Sequence, residues 1–521
     1  MPPAGLADSL PALVPQQEVL HPFIPTVVGN VDDREWKKTL ERIDEILLQG
    51  RVEESFLRLF LARHQEEELA AAAKENRAVP VLSNGEQGYF QRVSAKALRC
   101  NLVRTLTGEG FRPFARRLAD SPLLQWFCRL GGLDEVRIPG KSPLQRYAEW
   151  LPEEQMRKVI DTLLAAASSP VDDAGVQTIE LQEGLDLEAY FLDTTCVKLN
   201  IHFPVDWVLL RDGARTLLKA TQLIRKRGLK VRMEEPETFL KRMNRLCMAM
   251  THARRRKDGK RQRKAALRAM KKLAKVIARH AERHREELRR RWRETDLSER
   301  QAERIIERMD VILERLPAAI KQAHERTIGE RHVLNEEKIL SLYEGHAAVY
   351  VRGKAGAEVE FGSQLLLGEI ESGLIVDREL GLGNPRADTK LLGRSLERLG
   401  KKGSGQQAAA VGGDRGFDGK ANRRLLEETK IFNALRPRSP AELRRRMQEE
   451  RFVAMQERRS QTEARISIFK NGFLGSPMLS EGHGRQSLQV AWAVLTHNLW
   501  LTARLPRWER ALRKVVPLRK V

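Results

Sequence analysis

Residues 189–207 read AYFLDTTCVKLNIHFPVDW. Val197, Leu199, Ile201 and Phe203 alternate with Lys198, Asn200 and His202, and that period of two predicts a half-buried strand. The strand signals run from about Leu187 to Pro204, and a short apolar run, Tyr190-Phe191-Leu192, ends on Asp193. Strands deplete aspartate, and burying an unpaired carboxylate is expensive. Either Asp193 caps a turn or something cationic meets it.

Working outward, the chain on either side of this strand is helical in pattern. Residues 34–78 have helical spacing broken at Gly50, and a further helix opens at Ser94 as N-cap and ends at Gly108. Ser121-Pro122 and Ser142-Pro143 are N-cap and first-turn signals. These features predict a helical N-terminal domain over 31–168, behind a Pro-rich arm over 1–30 and ahead of a polar loop at 169–184. After Trp207 strand character vanishes until about Leu334, which predicts a basic helical insertion over 207–339, a hairpin with breaks at Gly259 and Pro317. Strands return in AAVYV and in EFGSQLLLGEIESGLIVDREL, where Glu371-Ser372-Gly373 makes the hairpin turn. A helix, the strand-loop-helix QQAAAVGGDRGFDGKANRRLLEE, a helix over about 440–470 and an apolar closing helix complete the chain. The expected class is α/β, with a catalytic core over 185–206 and 340–502 interrupted by the helical insertion.

Charge narrows the partners. Of 521 residues, 93 are Lys or Arg and 70 Asp or Glu, a net charge of +23. Between Arg254 and Arg293 there are 19 Lys and Arg against four acids, a local surplus of +15. Charge so concentrated predicts a polyanionic partner, with sequence-independent, salt-sensitive phosphate binding; the bland alternative is a solvated basic helix. No apolar run reaches the roughly 18 residues of a membrane span, and the N-terminus lacks the basic and apolar segments of a signal peptide. Four widely spaced cysteines argue against a disulfide framework or zinc module. A cytoplasmic, nucleoid-associated protein is expected.

Asp414, in AAAVGGDRGFDG, repeats the pattern of Asp193: an apolar run closing on an aspartate among glycines. Ligands of α/β sheets gather at the carboxyl ends of strands, and oxygen-only donors suit Mg²⁺ or Mn²⁺. An Asx-turn at each position is the alternative. A third acid lies in QERRSQTEARISIFKNG, where Arg459, Glu463, Ile466 and Lys470 are spaced four, three and four apart and share a helix face. The alternative there is a plain surface Arg-Glu pair, worth a few tenths of a kcal/mol. Asp206, Asp212, Glu369 and Asp377 read as caps or pairs, His202 and His346 as structural, and Trp492, His497 and Trp500 as packing. GGDRGFDGKA has the wrong glycine spacing for a P-loop and lacks Ser or Thr after Lys420.

Taken together these blocks resemble the DDE transposases of bacterial insertion sequences. One subgroup of that family carries Y-x2-R-x3-E-x6-K, and this chain has Gln456-x2-Arg459-x3-Glu463-x6-Lys470, with Gln in place of Tyr. FLDTTCVKLNIHFPVDW looks like the first-aspartate block, VGGDRGFDG like the second, and DSPLLQWFCRL with GKSPLQRY like the N-terminal helical domain. The resemblance covers about residues 90–500, apart from the basic insertion. It implies a ribonuclease H-like mixed sheet and metal-dependent cleavage at element ends, followed by strand transfer. It also implies Asp193, Asp414 and Glu463 as ligands of two Mg²⁺ ions, for which Mn²⁺ can substitute. Arg459, Lys470 and Arg415 are then the phosphate contacts, double-stranded DNA (terminal repeats and target) the partner, and a homodimer the active form. A nuclease without strand transfer and an inactive DNA-binding descendant are the competing readings.

Overall fold

A strand does form within the expected stretch, central in the only sheet among the described residues, but it spans Ala189–Lys198, so the alternating stretch Leu199–Phe203 lies past its end and Phe203 is exposed. The computed structural model describes residues 28–506 except 79–80, 132–134, 169–178, 180, 182–183, 186–187, 254–256, 355–356 and 401–407. The Pro-rich arm up to residue 27 and most of the polar loop at 169–184 lie outside them.

Before the sheet come α1 (Val31–Gln49), α2 (Val52–Glu75), α3 (Asn84–Thr107), α4 (Phe111–Asp120), α5 (Pro122–Phe127), α6 (Lys141–Ala148) and α7 (Glu153–Ser168). Gly50 does separate the first two, and Ser121 caps α5 by accepting from the Leu124 N–H. Ser94 is not an N-cap. The cap of α3 is Ser83, which makes a reciprocal box with Glu86, and Ser94 is buried about three turns further on, accepting from Trp150 Nε1 at 3.1 Å. Likewise α6 starts at Lys141, so Ser142 and Pro143 fall inside its first turn.

The sheet contains β1 (Ala189–Lys198), β2 (Ala348–Lys354), β3 (Ala357–Ile370), β4 (Ile375–Leu380), β5 (Ala410–Gly413) and β6 (Phe432–Leu435). Its order is β2-β3-β1-β5-β6, with β4 also on β3. β1 runs antiparallel to β3 and parallel to β5, and β5 runs parallel to β6. The fold is therefore mixed α/β and mostly helical. The β3–β4 turn falls where expected, with Gly373 at φ 93°, a conformation that costs a side chain dearly. β6 was not expected: four residues are too few to show a period.

Both sheet faces are covered, which is why β1 is apolar in both registers. Tyr190 and Leu192 pack with Leu391, Leu392, Val411 and Leu426 under α12 (Leu391–Gly400) and α13 (Lys420–Glu428). Phe191 packs on the other face with Ala410, Ala434, Phe452 and Met455. Phe452 and Met455 belong to α15 (Glu450–Ile468), which follows the short α14 (Pro440–Arg446). The single helix expected at 440–470 is thus two helices, and the second continues as a π-helical turn, Phe469–Leu474. The closing α16 (His483–Thr502) is apolar all round and correspondingly buried. It joins the N-terminal helices in one apolar cluster with Val52, Phe56, Leu98 and Val159.

The insertion has a separate core. It is four helices rather than a hairpin: α8 (Asp206–Lys226), α9 (Pro236–His252), α10 (Gly259–Arg291) and α11 (Glu299–Thr327). Leu217, Met243, Met270, Ile277, Ile312 and Leu316 pack at its centre. Gly259 opens α10, and Pro317 sits inside α11 without ending it. Burial of Ile312, Leu316 and Ile320 against the bundle offsets the hydrogen bond that the proline removes.

Candidate active site

The register of the parallel strands brings the two aspartates together. Leu192 pairs with Gly413 as the last residues of the β1–β5 ladder, so Asp193 and Asp414 step off neighbouring strands side by side. Asp193 is mid-strand rather than at a strand end, since β1 continues against β3, where its partner is Leu367. β5 ends at Gly413, so on that side Asp193 lies just past the carboxyl edge of the parallel half of the sheet. Asp414 turns the chain away: its Oδ1 accepts from Gly416 N–H at 2.8 Å, so the Asx-turn alternative also holds there.

Glu463 approaches from α15, the helix covering the Phe191 face, and its side chain is exposed. Burial pushes the Asp193 carboxyl up to about 7; the Asp414 charge adds to this, the Thr194 N–H at 2.7 Å opposes it, and Glu463 and Asp388 add smaller repulsions. The sequence-predicted acids thus share one electrostatic neighbourhood with no cation among the causes of that shift.

Asp388 is the acid that sequence reasoning missed. In ADTKLLGRS it reads as a helix start, and it does open the short helical turn leading to α12. Its position is set by β1, because Thr194 Oγ1 donates to Asp388 Oδ1 at 2.9 Å and Gln364 Nε2 lies at 3.4 Å. Burial raises the Asp388 carboxyl too, opposed by the Thr194 hydrogen bond and reinforced by Asp414. A Cβ on Gly416 would collide with Asp388 Oδ2 and lie 3.0 Å from Asp414 Oδ1, so the glycine is what lets these two carboxylates converge. We expect Asp388→Asn to keep the Thr194 contact, to lower the Asp193 titration midpoint by removing a like charge, and to reduce turnover roughly 10–100-fold. Carboxyl NMR read against pH checks the first effect, and single-turnover kinetics the second.

The predicted cations divide. Lys470, in the π-helical turn, donates to Thr195 Oγ1 at 3.1 Å and Cys196 O at 2.6 Å, two and three residues past Asp193 on the same strand. π-turns recur at functional sites because the extra residue re-aims a side chain. Arg459 is half-buried, and its Nε has no hydrogen-bond partner. Arg415 is exposed beside Asp414, and Arg438 Nε donates to its carbonyl at 3.1 Å. Gln456 Nε2 donates to Ala434 O at 2.7 Å, tying α15 to β6.

The acids read as structural are paired. Glu369 meets Arg458 at 3.0 Å and Thr462 at 2.8 Å, Asp377 meets Arg398 at 2.7 Å, and Asp206 meets Arg326 at 2.8 Å. All four cysteines are buried, and none of them forms a disulfide. His346 bonds Gln486 at 2.6 Å, and burial lowers His497 to about 4.

Among the described residues no three His, Cys, Asp or Glu side chains are gathered closely enough to enclose a metal ion. The donor chemistry nevertheless suits a hard divalent cation: every candidate ligand is a carboxylate, and their mutual repulsion is what a cation relieves. No helix among the described residues is long and apolar enough to cross a membrane. The chain matches no protein-family model, no curated protein and no solved structure.

Proposed function

We propose that this protein is a DNA transposase of the DDE type, cutting and joining DNA at a site formed by Asp193, Asp414 and Glu463. The observation that carries this reading is the juxtaposition of Asp193 and Asp414 at the end of the β1–β5 ladder, with Glu463 acting on the same carboxyl from α15. The mixed sheet, with Asp193 on its central strand between antiparallel and parallel partners, supports the ribonuclease H-like core that the reading implies.

Asp193, Asp414 and Glu463 would hold Mg²⁺ or Mn²⁺. When bound, the ions supply Lewis acidity to the attacking and leaving oxygens of the scissile phosphodiester. The chain's own groups do the rest. Asp388 holds Thr194, and with it the Asp193 stretch of β1, in place. Arg459 supplies a cation one helical turn before Glu463 on α15 for phosphate contact, and Lys470 braces β1 beside the acids. Water attacks first to free a 3′-OH, and that hydroxyl then attacks target DNA. Handling two element ends calls for two copies of the chain.

The test is Mg²⁺-dependent reaction on a DNA fragment carrying the sequences that flank the native gene, with Glu463→Gln and Asp414→Asn alongside. Discrete cuts followed by joined products, lost in both variants, support the proposal. Cuts without joining reassign the protein as a nuclease. Binding with no cleavage under either metal leaves a DNA-binding protein.

A further inference from the structure

The basic insertion carries its charge along a line. α10 is 33 residues long, and Leu267, Met270, Ala274, Ile277, Ala281 and Leu288 bury one side of it in the bundle core. On the opposite side stand Arg261, Arg268, Lys272, Lys275, Arg279 and Arg283, all exposed. They step by seven, four, three, four and four residues. At 3.6 residues per turn, those steps keep them within about 40° of one line, which runs for about 33 Å.

None of these six has an ion-pair partner among the described residues, whereas cations near either end of the row do. Lys260 and Lys264 both meet Glu330, at 2.7 and 2.5 Å. Arg285 and Arg289 share Asp310, at 2.6 and 3.3 Å. Acids of the bundle thus pair cations near the two ends of α10 and leave its crest bare. A helix that merely needed solvation has no use for that division.

We propose that this crest of α10 is a docking rail for the phosphate backbone of double-stranded DNA, independent of base sequence. The rail is about as long as the rise of one duplex turn, roughly 34–36 Å, so laid along the duplex it reaches the backbone on both sides of a groove. A membrane surface fits poorly: an interfacial helix inserts large apolar side chains, and those of α10 are committed to the bundle core. Single strands fit poorly as well, since they are held by stacking on aromatic rings and no Phe, Tyr or Trp lies between Arg261 and Arg283. The inference shares the DNA partner of the proposed function but not its chemistry, and the insertion's separate core lets the two be tested apart.

The experiment measures binding of the full chain to a 30-base-pair duplex of arbitrary sequence, by fluorescence anisotropy across a KCl series in EDTA, where no metal-dependent step can contribute. Wild type is compared with Arg268→Gln/Lys272→Gln/Arg279→Gln on the rail and with Arg300→Gln/Arg304→Gln/Arg308→Gln on α11, which removes the same charge elsewhere. Circular dichroism confirms that both triples are folded. Each lost phosphate contact lowers the slope of log K against log salt by about 0.9, so the rail triple should lose about 2.7 and the α11 triple less than about 1. Equal losses in the two triples, an unchanged slope in the rail triple, or no duplex binding by wild type would each overturn the rail. Cleavage lost in Asp193→Asn with the salt slope intact separates failure of the chemistry from failure of the rail.

Discussion

Replacing Asp193 with Asn should abolish DNA cleavage, leave DNA binding unchanged, and make the metal-free protein more stable at alkaline pH. The first effect follows from position: the carboxylate lies between Asp414 and the rest of β1, where Asn offers one neutral oxygen in place of an ionic pair. A loss of at least about a thousandfold, or about 4 kcal/mol of transition-state stabilisation, is expected. The stability effect follows from charge. The folded carboxyl titrates near 7 and the free group at 3.8, so the fold favours the protonated form. That contribution is fully present below pH 3.8 and is lost as pH rises through 7. Asn does not titrate, so denaturation at pH 8 without divalent metal should show the variant more stable by about 2–4 kcal/mol, with the difference vanishing near pH 4. Equal stability at both pH values would mean that neither burial nor the neighbouring acids raise this carboxyl. A site that is destabilised until a ligand arrives is a common cost of function.

Trp492→Ala should be the most damaging single change in the apolar core. Trp492 is 1% exposed, its Nε1 donates to Ala148 O at 2.9 Å, and its ring lies 5.9 Å from that of Phe56. It therefore joins α16 to both α2 and the end of α6. Truncation removes the ring, leaves a cavity and orphans a carbonyl, at a cost of about 3–5 kcal/mol. Because the insertion is built round its own apolar cluster, the damage should be regional. Hydrogen exchange should show protection falling in α2, α3 and α7 while α10 keeps its own. A uniform loss across α10 as well would show the two cores to be one cooperative unit.

The sequence was most informative where local pattern and chemistry coincide. Asp193 and Asp414 each end an apolar run, and that oddity alone marked them before any pairing was known. The helical character of the insertion was legible in its spacing, whereas its four helices and separate apolar core were not. What escaped was set by distant contacts. Asp388 looks like a helix start, and only the pairing of Thr194 with it, across 194 residues, places it among the acids. Ser94 has the chemistry of a cap, yet the indole of Trp150 claims it inside a helix. Pro317 should break a helix, and tertiary burial on either side of it prevents that. The helix-face argument for Lys470 assumed regular α-spacing, which the π-turn replaces.

The central claim, that Asp193, Asp414 and Glu463 act together on a divalent cation, is tested most directly by titrating Mn²⁺ into the full chain without DNA and following the free ion by electron paramagnetic resonance. Wild type should take up ions that Asp193→Asn, Asp414→Asn and Glu463→Gln each fail to hold, and the same ions should raise the denaturation midpoint of wild type alone. Uptake undiminished in all three variants, or none in wild type, would contradict the account.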